Sequence, residues 1–509
     1  MNKLHLLWVA CAATMTLAAC GGGDDDTVPT PAPAPSPSPS PSPSPSPAPA
    51  PAIDRIEQLD TAGSSRAAVV KAQTVAVSRL PAQASVATVA LGPLTIAKSQ
   101  PVAEKGVALK VGESRAVAAT ASADALARQW RWATLADGSQ VAAVSFSAQG
   151  AKAIRLGVLV QNLPDGALLR VYGSLGTEVI EVSSAELASL RQLNEAGGVT
   201  GDEARMYWAP DTAGATSTLE VQLPAGVSPS QLQLAVPSLS HWTKTVAEAL
   251  DAPTKGADEI GASGSCNLDV MCQSTLEPQS RAVAHMSYVK SGSSYMCTGT
   301  LLNDTKNSQT PYFLSANHCI STQAAASTLT TYWFFRAASC NSSPKLDAAA
   351  TRQTSGATLL TTNTPTDSSL MRLNGRVPAN VVYAGSYFGS QAVTGIGVVG
   401  IHNPKGDLQK YSVGTINGYT NCTFGEDASM SCTGSDARNG QALLVGWQQG
   451  ITEGGSSGSA IFVRAESGRR YVVGNLMGGS SSCQNPTGTD AYGRLDRSFA
   501  AGINKWLAP

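Results

Sequence analysis

The sequence predicts an all-β chain with two folded parts, and three observations predict it. Strand-length apolar runs alternate with Gly- and Pro-containing turns across residues 100–245 and again beyond Cys266. Charged residues make up only 14% of the 509, while glycine alone numbers 48, a composition suited to strands and turns rather than to solvated helices. Eight of the ten cysteines stand at or after Cys266, an even set in a chain that opens on an export signal.

That signal occupies residues 1–20. Lys3 starts a short basic region, Leu4 to Leu17 is apolar but too short to cross a bilayer, and Leu17-Ala18-Ala19-Cys20 ends it with small residues before a cysteine. The ending resembles the bacterial lipobox, which implies lipid on Cys20 and an outer-membrane or cell-surface address; the alternative is an ordinary secretory signal cleaved nearby. No later segment is apolar enough to span a membrane, so membrane contact is expected only through that lipid. Residues 21–52 form a linker, Gly21 to Asp26 and then a Pro-Ser/Pro-Ala run from Pro29 to Ala52. Proline fixes φ and removes the N–H, so the run is expected to extend as polyproline II for ~70 Å; a disordered tract without a spacing role has the same composition. The formal net charge is −1 and no Lys/Arg-rich run occurs, which argues against nucleic-acid binding.

Residues 53–250 are expected to form a β-rich prodomain resembling a small antiparallel sandwich. Val141 to Ser147 and Ala167 to Tyr172 are strand-like runs, and Leu163-Pro164-Asp165-Gly166 and Leu223-Pro224-Ala225-Gly226 are turns between such runs. Ser183 to Ala196 reads as a helix, opened by a serine cap with Glu186 three residues on. Residues 251–262 are a polar linker in which Lys255-Gly256 offers an exposed bond to cut. The cysteine-rich span 263–509 follows. Its eight cysteines favour four disulfides, each worth ~2–4 kcal/mol, with 105 pairings open.

The chemistry is concentrated in Glu453-Gly454-Gly455-Ser456-Ser457-Gly458-Ser459-Ala460. A turn of this kind presents a serine hydroxyl beside backbone N–H groups, and that hydroxyl becomes a nucleophile only with a base and an orienting carboxylate. Three histidines stand in this span, His285, His318 and His402. His318 ends the apolar run Phe313-Leu314-Ser315-Ala316-Asn317, and Asp367 stands at the edge of the strand-like Ser368-Ser369-Leu370-Met371. With Ser457 they give the chain order His, Asp, Ser at separations of about fifty and about ninety residues. The same turn also matches G-x-S-x-G with Ser456 as nucleophile, but that elbow needs a histidine after the serine and the last histidine is His402.

On these residues the span from Gly261 to Pro509 resembles the lysyl endopeptidase branch of the chymotrypsin-like serine proteases. The matching motifs are Ser263-Gly264-Ser265-Cys266, Cys297-Thr298-Gly299, Ser315-Ala316-Asn317-His318-Cys319, Ile401-His402-Asn403-Pro404, Gly455-Ser456-Ser457-Gly458-Ser459 and Asp490-Ala491-Tyr492-Gly493-Arg494. The resemblance implies a chymotrypsin-like double β-barrel with His318 as base, Asp367 as its orienter and Ser457 as nucleophile. The N–H groups of Gly455 and Ser457 would form the oxyanion hole. It implies the disulfides Cys266–Cys483, Cys272–Cys340 and Cys297–Cys319. Cys422 and Cys432 have no counterpart and are expected by elimination to close a short extra loop, a free pair being the alternative. Asp490 matches the position of the S1 carboxylate, which implies cleavage after Lys, or Arg. Two departures bear on strict lysine preference: Met477 replaces a histidine before Gly478-Gly479, and the tryptophan beside the pocket has no clear match. Ser368 stands where relatives carry a bulkier residue, and His402 is expected to be structural. Ser456, in place of the aspartate that pairs with a new N-terminus in trypsin, argues against activation of that kind. Expected partners are protein or peptide substrates, with no cofactor or metal, and the chain is expected to be a monomer. The competing reading is a degenerate protease scaffold serving as an adhesin-like binding protein.

Overall fold

The computed structural model describes residues 53–62, 76–95, 108–244, 263–389, 393–425 and 429–509. The export signal, the proline-rich linker and the segment around Lys255 lie outside the described residues.

Two β layers make the N-terminal part. One sheet runs in the order Ala87–Leu91, Gln140–Ala148, Thr216–Leu223, Leu168–Gly173, Val179–Ser183. The facing layer contains Met206–Trp208, Ala153–Asn162, Gln233–Trp242 and Leu109–Ala116. Val144, Phe146, Leu219 and Val221 of the first meet Leu156, Val158, Leu234 and Leu239 of the second in one apolar core, as the sandwich reading expects. The Ser184–Ala196 helix is capped by Ser183, as its sequence predicts. The Glu186 N–H donates to Ser183 Oγ at 3.2 Å, and the Ser183 N–H donates to the Glu186 carboxylate at 2.7 Å.

The second layer does not stop at the end of this part. Leu109–Ala116 pairs with Gln233–Trp242 on one side and with Ser293–Leu302 of the cysteine-rich part on the other. Gly112 sits opposite Ser294 in that junction, and a Cβ there would lie 2.4 Å from Ser240 Oγ and 2.8 Å from Trp242 Cδ1. Trp242, fully buried, donates its indole N–H to Ser294 Oγ at 2.9 Å.

Ser293–Leu302 opens the first barrel-like sheet of the C-terminal part, ordered Thr351–Gln353, Thr330–Trp333, Val283–Lys290, Ser293–Leu302, Tyr312–Ala316, Ser368–Leu373, Ala357–Asn363. Met286, Leu301, Phe313, Trp333 and Met371 fill it. The second barrel closes on itself: Gly397–His402, Lys410–Phe424, Ala442–Gln449, Thr489–Arg494, Arg470–Gly479 and Ala460–Arg464 pair in sequence, and the last returns to the first. Val398, Ile416, Val445, Ile461, Val473 and Tyr492 are its core. A third cluster, with Leu302, Leu314, Leu370, Ile401 and Phe462, packs the two barrels together. The chain is thus mostly β, a chymotrypsin-like pair of barrels preceded by a sandwich. Among the described residues no helix is long and apolar enough to cross a membrane.

Candidate active site

The seam between the barrels holds the Asp367–His318 pair and the turn that carries Ser457, which Thr298 of the first barrel bonds. His318 follows the strand Tyr312–Ala316, and its loop is tied to Ser293–Leu302 by the Cys297–Cys319 disulfide. Asp367 immediately precedes the strand Ser368–Leu373, which pairs with the histidine's own strand, so the register carries the carboxylate to the imidazole. Asp367 Oδ2 lies 2.6 Å from His318 Nδ1, and Oδ1 accepts the His318 backbone N–H at 2.7 Å. The aspartate is buried and has φ +47, a conformation that Asp tolerates better than bulkier residues. Its carbonyl accepts from Asn317 N–H at 3.0 Å and Asn475 Nδ2 at 2.8 Å, so both barrels hold it.

Ser457 sits on the turn before Ala460–Arg464. Gly455 has φ +94 and Gly458 φ +81, left-handed values that a side chain resists. A Cβ on Gly458 would also lie 2.2 Å from Ser315 Oγ and 2.6 Å from the Thr298 carbonyl. The turn is held by Thr298, whose N–H donates to the Ser457 carbonyl at 2.8 Å and whose Oγ1 donates to the Gly455 carbonyl at 2.9 Å. Among the described residues the Gly455 N–H has no acceptor within the protein. Ser456 points away into the second barrel, its Oγ 2.8 Å from His402 Nδ1. His402 Nε2 is 3.1 Å from Ser412 Oγ, and that hydroxyl donates to the Ile451 carbonyl at 2.9 Å. This chain of bonds assigns the proton to Nε2 and makes Ser456 the donor to Nδ1. Burial, with Lys410 nearby, pushes the His402 pKa down to about 3, so the ring is neutral. His402 therefore braces Ser456, which precedes Ser457 in the turn.

Asp490 lies in the strand Thr489–Arg494 with 1% of its surface exposed. One oxygen accepts from Trp447 Nε1 at 2.6 Å, Thr452 Oγ1 at 2.7 Å and Ser481 Oγ at 2.7 Å; the other accepts the Ser481 N–H at 3.2 Å. All four donors are neutral. Gly479 runs alongside, where a Cβ would lie 2.1 Å from the carboxylate. Met477 is fully buried and packs with Cys422, Ala491 and Phe424.

Several of these contacts have no signature in the sequence. Phe424, on the hairpin clipped by Cys422–Cys432, brings its ring centroid to 5.2 Å from that of His318. Trp447 and Thr452 reach Asp490 from 43 and 38 residues away, a separation that leaves no local signal. Glu453 and Asp407 seize the start of the C-terminal part: Glu453 accepts the Gly264 N–H at 2.8 Å, and Asp407 accepts from the N–H and hydroxyl of Ser263. The remaining disulfides join Cys266 to Cys483 and Cys272 to Cys340. Cys297, His318 and Cys319 bring their donor atoms within 4.8 Å of one another, but both sulfurs are spent in a disulfide and offer no thiolate to a metal.

Two β-barrels meeting at an Asp–His pair whose carboxylate is buried, with a serine on a constrained glycine turn, define a serine protease of the trypsin-like class. Comparison with known proteins narrows the class. Residues 260–493 match the lysyl endopeptidase C-terminal domain and residues 61–243 the lysyl endopeptidase N-terminal domain. The chain is 31% identical over 427 residues to the lysyl endopeptidase of Pseudomonas aeruginosa, covering 80% of this chain and 84% of that protein. It belongs to the lysyl endopeptidase family. Solved structures similar to it include the Anisep protease of Arthrobacter nicotinovorans, at 17% identity and TM-score 0.30 over 45% of this chain and 96% of that one. The active form of the Rv3671c protease of M. tuberculosis matches at 13% identity and TM-score 0.31, over 48% and 88%.

Proposed function

We propose that the chain is an exported endopeptidase that cleaves after lysine, or arginine, through an acyl-enzyme. The observation that carries the specificity is Asp490, a buried carboxylate satisfied by neutral donors and, among the described residues, without an ion-paired cation. Removing an anion from water is costly, and a P1 ammonium or guanidinium arriving beside it supplies the missing charge. An apolar P1 side chain would leave the anion desolvated and unpaired.

In the proposed reaction Ser457 Oγ attacks the scissile carbonyl while His318 takes its proton. Asp367 holds the imidazole by Nδ1–H and stabilises the imidazolium. The oxyanion is received by the N–H groups of Gly455 and Ser457, and His318 then protonates the leaving amine. Water repeats the sequence on the ester and frees Ser457. The segment ahead of Ser263 acts as a prodomain. Its role in folding is supported by the strand Leu109–Ala116, which completes the edge of the first barrel. The cut that separates the two parts is placed at Lys255-Gly256, and Cys20 carries the lipid.

The test is cleavage of a peptide library by the processed protein, with fluorophosphonate labelling and Ser457→Ala as control. Labelling at Ser457 with cleavage after basic residues is the expected result. Labelling with apolar P1 preference would reject Asp490 as the pocket anion, and an absence of labelling would favour a binding protein on a degenerate scaffold. N-terminal sequencing checks the cut: a fully active protease that retains residues upstream of Lys255 would overturn it.

A further inference from the structure

Residues 54–61 stand apart from the prodomain that follows them and lie across the protease part. Arg55–Ile56 pairs with Ser386–Tyr387, and Leu59–Asp60 pairs with Val382–Tyr383. The Phe388 N–H donates to the Asp54 carbonyl at 2.9 Å, Asn303 Nδ2 to the Glu57 carbonyl at 2.9 Å, and the Thr61 hydroxyl to the Val381 carbonyl at 2.7 Å. The main chain is therefore tied along the length of the segment.

Side chains finish the attachment. Ile56 is 4% exposed and enters the cluster between the barrels with Leu302, Val382, Ala384 and Val472. Asp60 takes a two-pronged bond from Arg281, at 2.9 Å and 2.5 Å. Glu57 accepts from Tyr471 OH at 2.8 Å and from Arg469 at 2.6 Å. Gly385 is the crossing point: a Cβ there would meet Ile56 O at 2.7 Å and Gln58 N at 2.8 Å, and its three nearest contacts are all backbone atoms of this segment. The protease surface has left room for one particular strand.

We propose that residues 54–61 are a strap that stays on the protease after the linker is cut, so that processing yields a two-piece molecule rather than a freed enzyme. This rests on the proposed cut between the two parts. The N-terminal piece holds the protease twice. The strap lies along residues 381–388, and the prodomain strand Leu109–Ala116 lies along Ser293–Leu302. Two linked attachments raise retention well beyond either alone, because release of one leaves it at high effective concentration beside its site. Whatever residue 20 is fixed to therefore remains coupled to the protease by chain continuity with the strap.

The experiment uses the full chain carrying Ser457→Ala, with one foreign protease site inserted among residues 63–75 and another among residues 245–262, so its outcome does not depend on whether the enzyme cuts itself. After both cuts, native mass spectrometry and gel filtration read which pieces stay together. The expected result is that the strap peptide co-elutes with residues 263–509 even where the prodomain does not. Gly385→Ala, whose Cβ would crowd the strap backbone first, should release it, and Asp60→Ala should weaken its retention about tenfold. Elution of the peptide free of the protease, or equal retention in Gly385→Ala, would overturn the proposal.

Discussion

Asp490 and His318 show what single positions decide. Asp490 has donors on both oxygens and, among the described residues, no ion-paired cation; the proposed lysine preference rests on that carboxylate. Asp490→Asn keeps the shape and removes the charge. We expect kcat/KM for lysine-P1 peptides to fall by about 10²–10³, the order of a broken buried ion pair, with fluorophosphonate labelling of Ser457 retained. An equal fall for apolar P1 substrates would point instead to a collapsed pocket. The motif residues were legible because their spacing and neighbours were sufficient to name them. Trp447, Thr452 and Phe424 were not, because Trp447 and Phe424 join the site through strand pairing, Thr452 reaches Asp490 from the loop after Ala442–Gln449, and no short motif contains them.

Strands and hairpins set the next level. The extra hairpin closed by Cys422–Cys432 reads as an unplaced pair of cysteines in the sequence, yet it carries Phe424 to His318 and packs Cys422 on Met477. Replacing both cysteines by serine should loosen that wall. KM for lysine-P1 peptides should rise several-fold while the labelling rate of Ser457 changes less, a split that steady-state kinetics resolves. At the sheet junction, Gly112→Val would drive a side chain into Ser240 and Trp242 and cost about 1–3 kcal/mol of overpacking. Refolding yield of the full chain should drop accordingly, measured against the wild type under one protocol. The strap has its own pH dependence. Burial opposes ionisation of Asp60 and Glu57, but bonds from Arg281 and the Ala62 N–H, and from Arg469 and Tyr471, outweigh it and hold both carboxyls below their ordinary values. Glu277, Asp54 and Arg55 are the other charges at these contacts. Depressed carboxylates contribute above their unfolded pKa and lose that contribution as pH falls through the folded one. Strap retention should thus be unchanged above about pH 5 and weaken below about pH 4, as gel filtration of the doubly cut protein would show.

Across the whole molecule, two buried histidines couple stability to acid. His285 stacks on Phe335 at 5.6 Å and meets a tilted Tyr332 ring at 5.5 Å, with neither ring nitrogen partnered among the described residues. Burial pushes its pKa down to about 3, as it does for His402. Free imidazole titrates near 6.5, so between those values the unfolded chain binds more protons than the folded one. Stability should fall as pH drops from about 6.5 toward 3, by about 1.4 kcal/mol per unit for each histidine. His285→Phe should flatten that limb by one histidine's share, seen as a smaller shift in urea midpoint between pH 7 and pH 4.5. The same region joins the two parts. Tyr332 OH donates to Asp211 at 3.0 Å, Arg352 bonds the Asp211 carbonyl, and Arg155 bonds the Ala209 carbonyl and the Thr328 carbonyl. By itself the sequence determined the all-β class and the capped helix at Ser183, and it singled out the candidates His318, Asp367, Ser457 and Asp490. Those depend on local pattern, residue chemistry and chain order, which a linear text records. Only the tertiary structure decided that one sheet runs through both parts, that a strap precedes the sandwich and docks beyond it, and that Phe424 faces His318. Each of these depends on which strand edges and apolar faces remain unpartnered after local folding, a quantity that exists only once the chain is closed on itself.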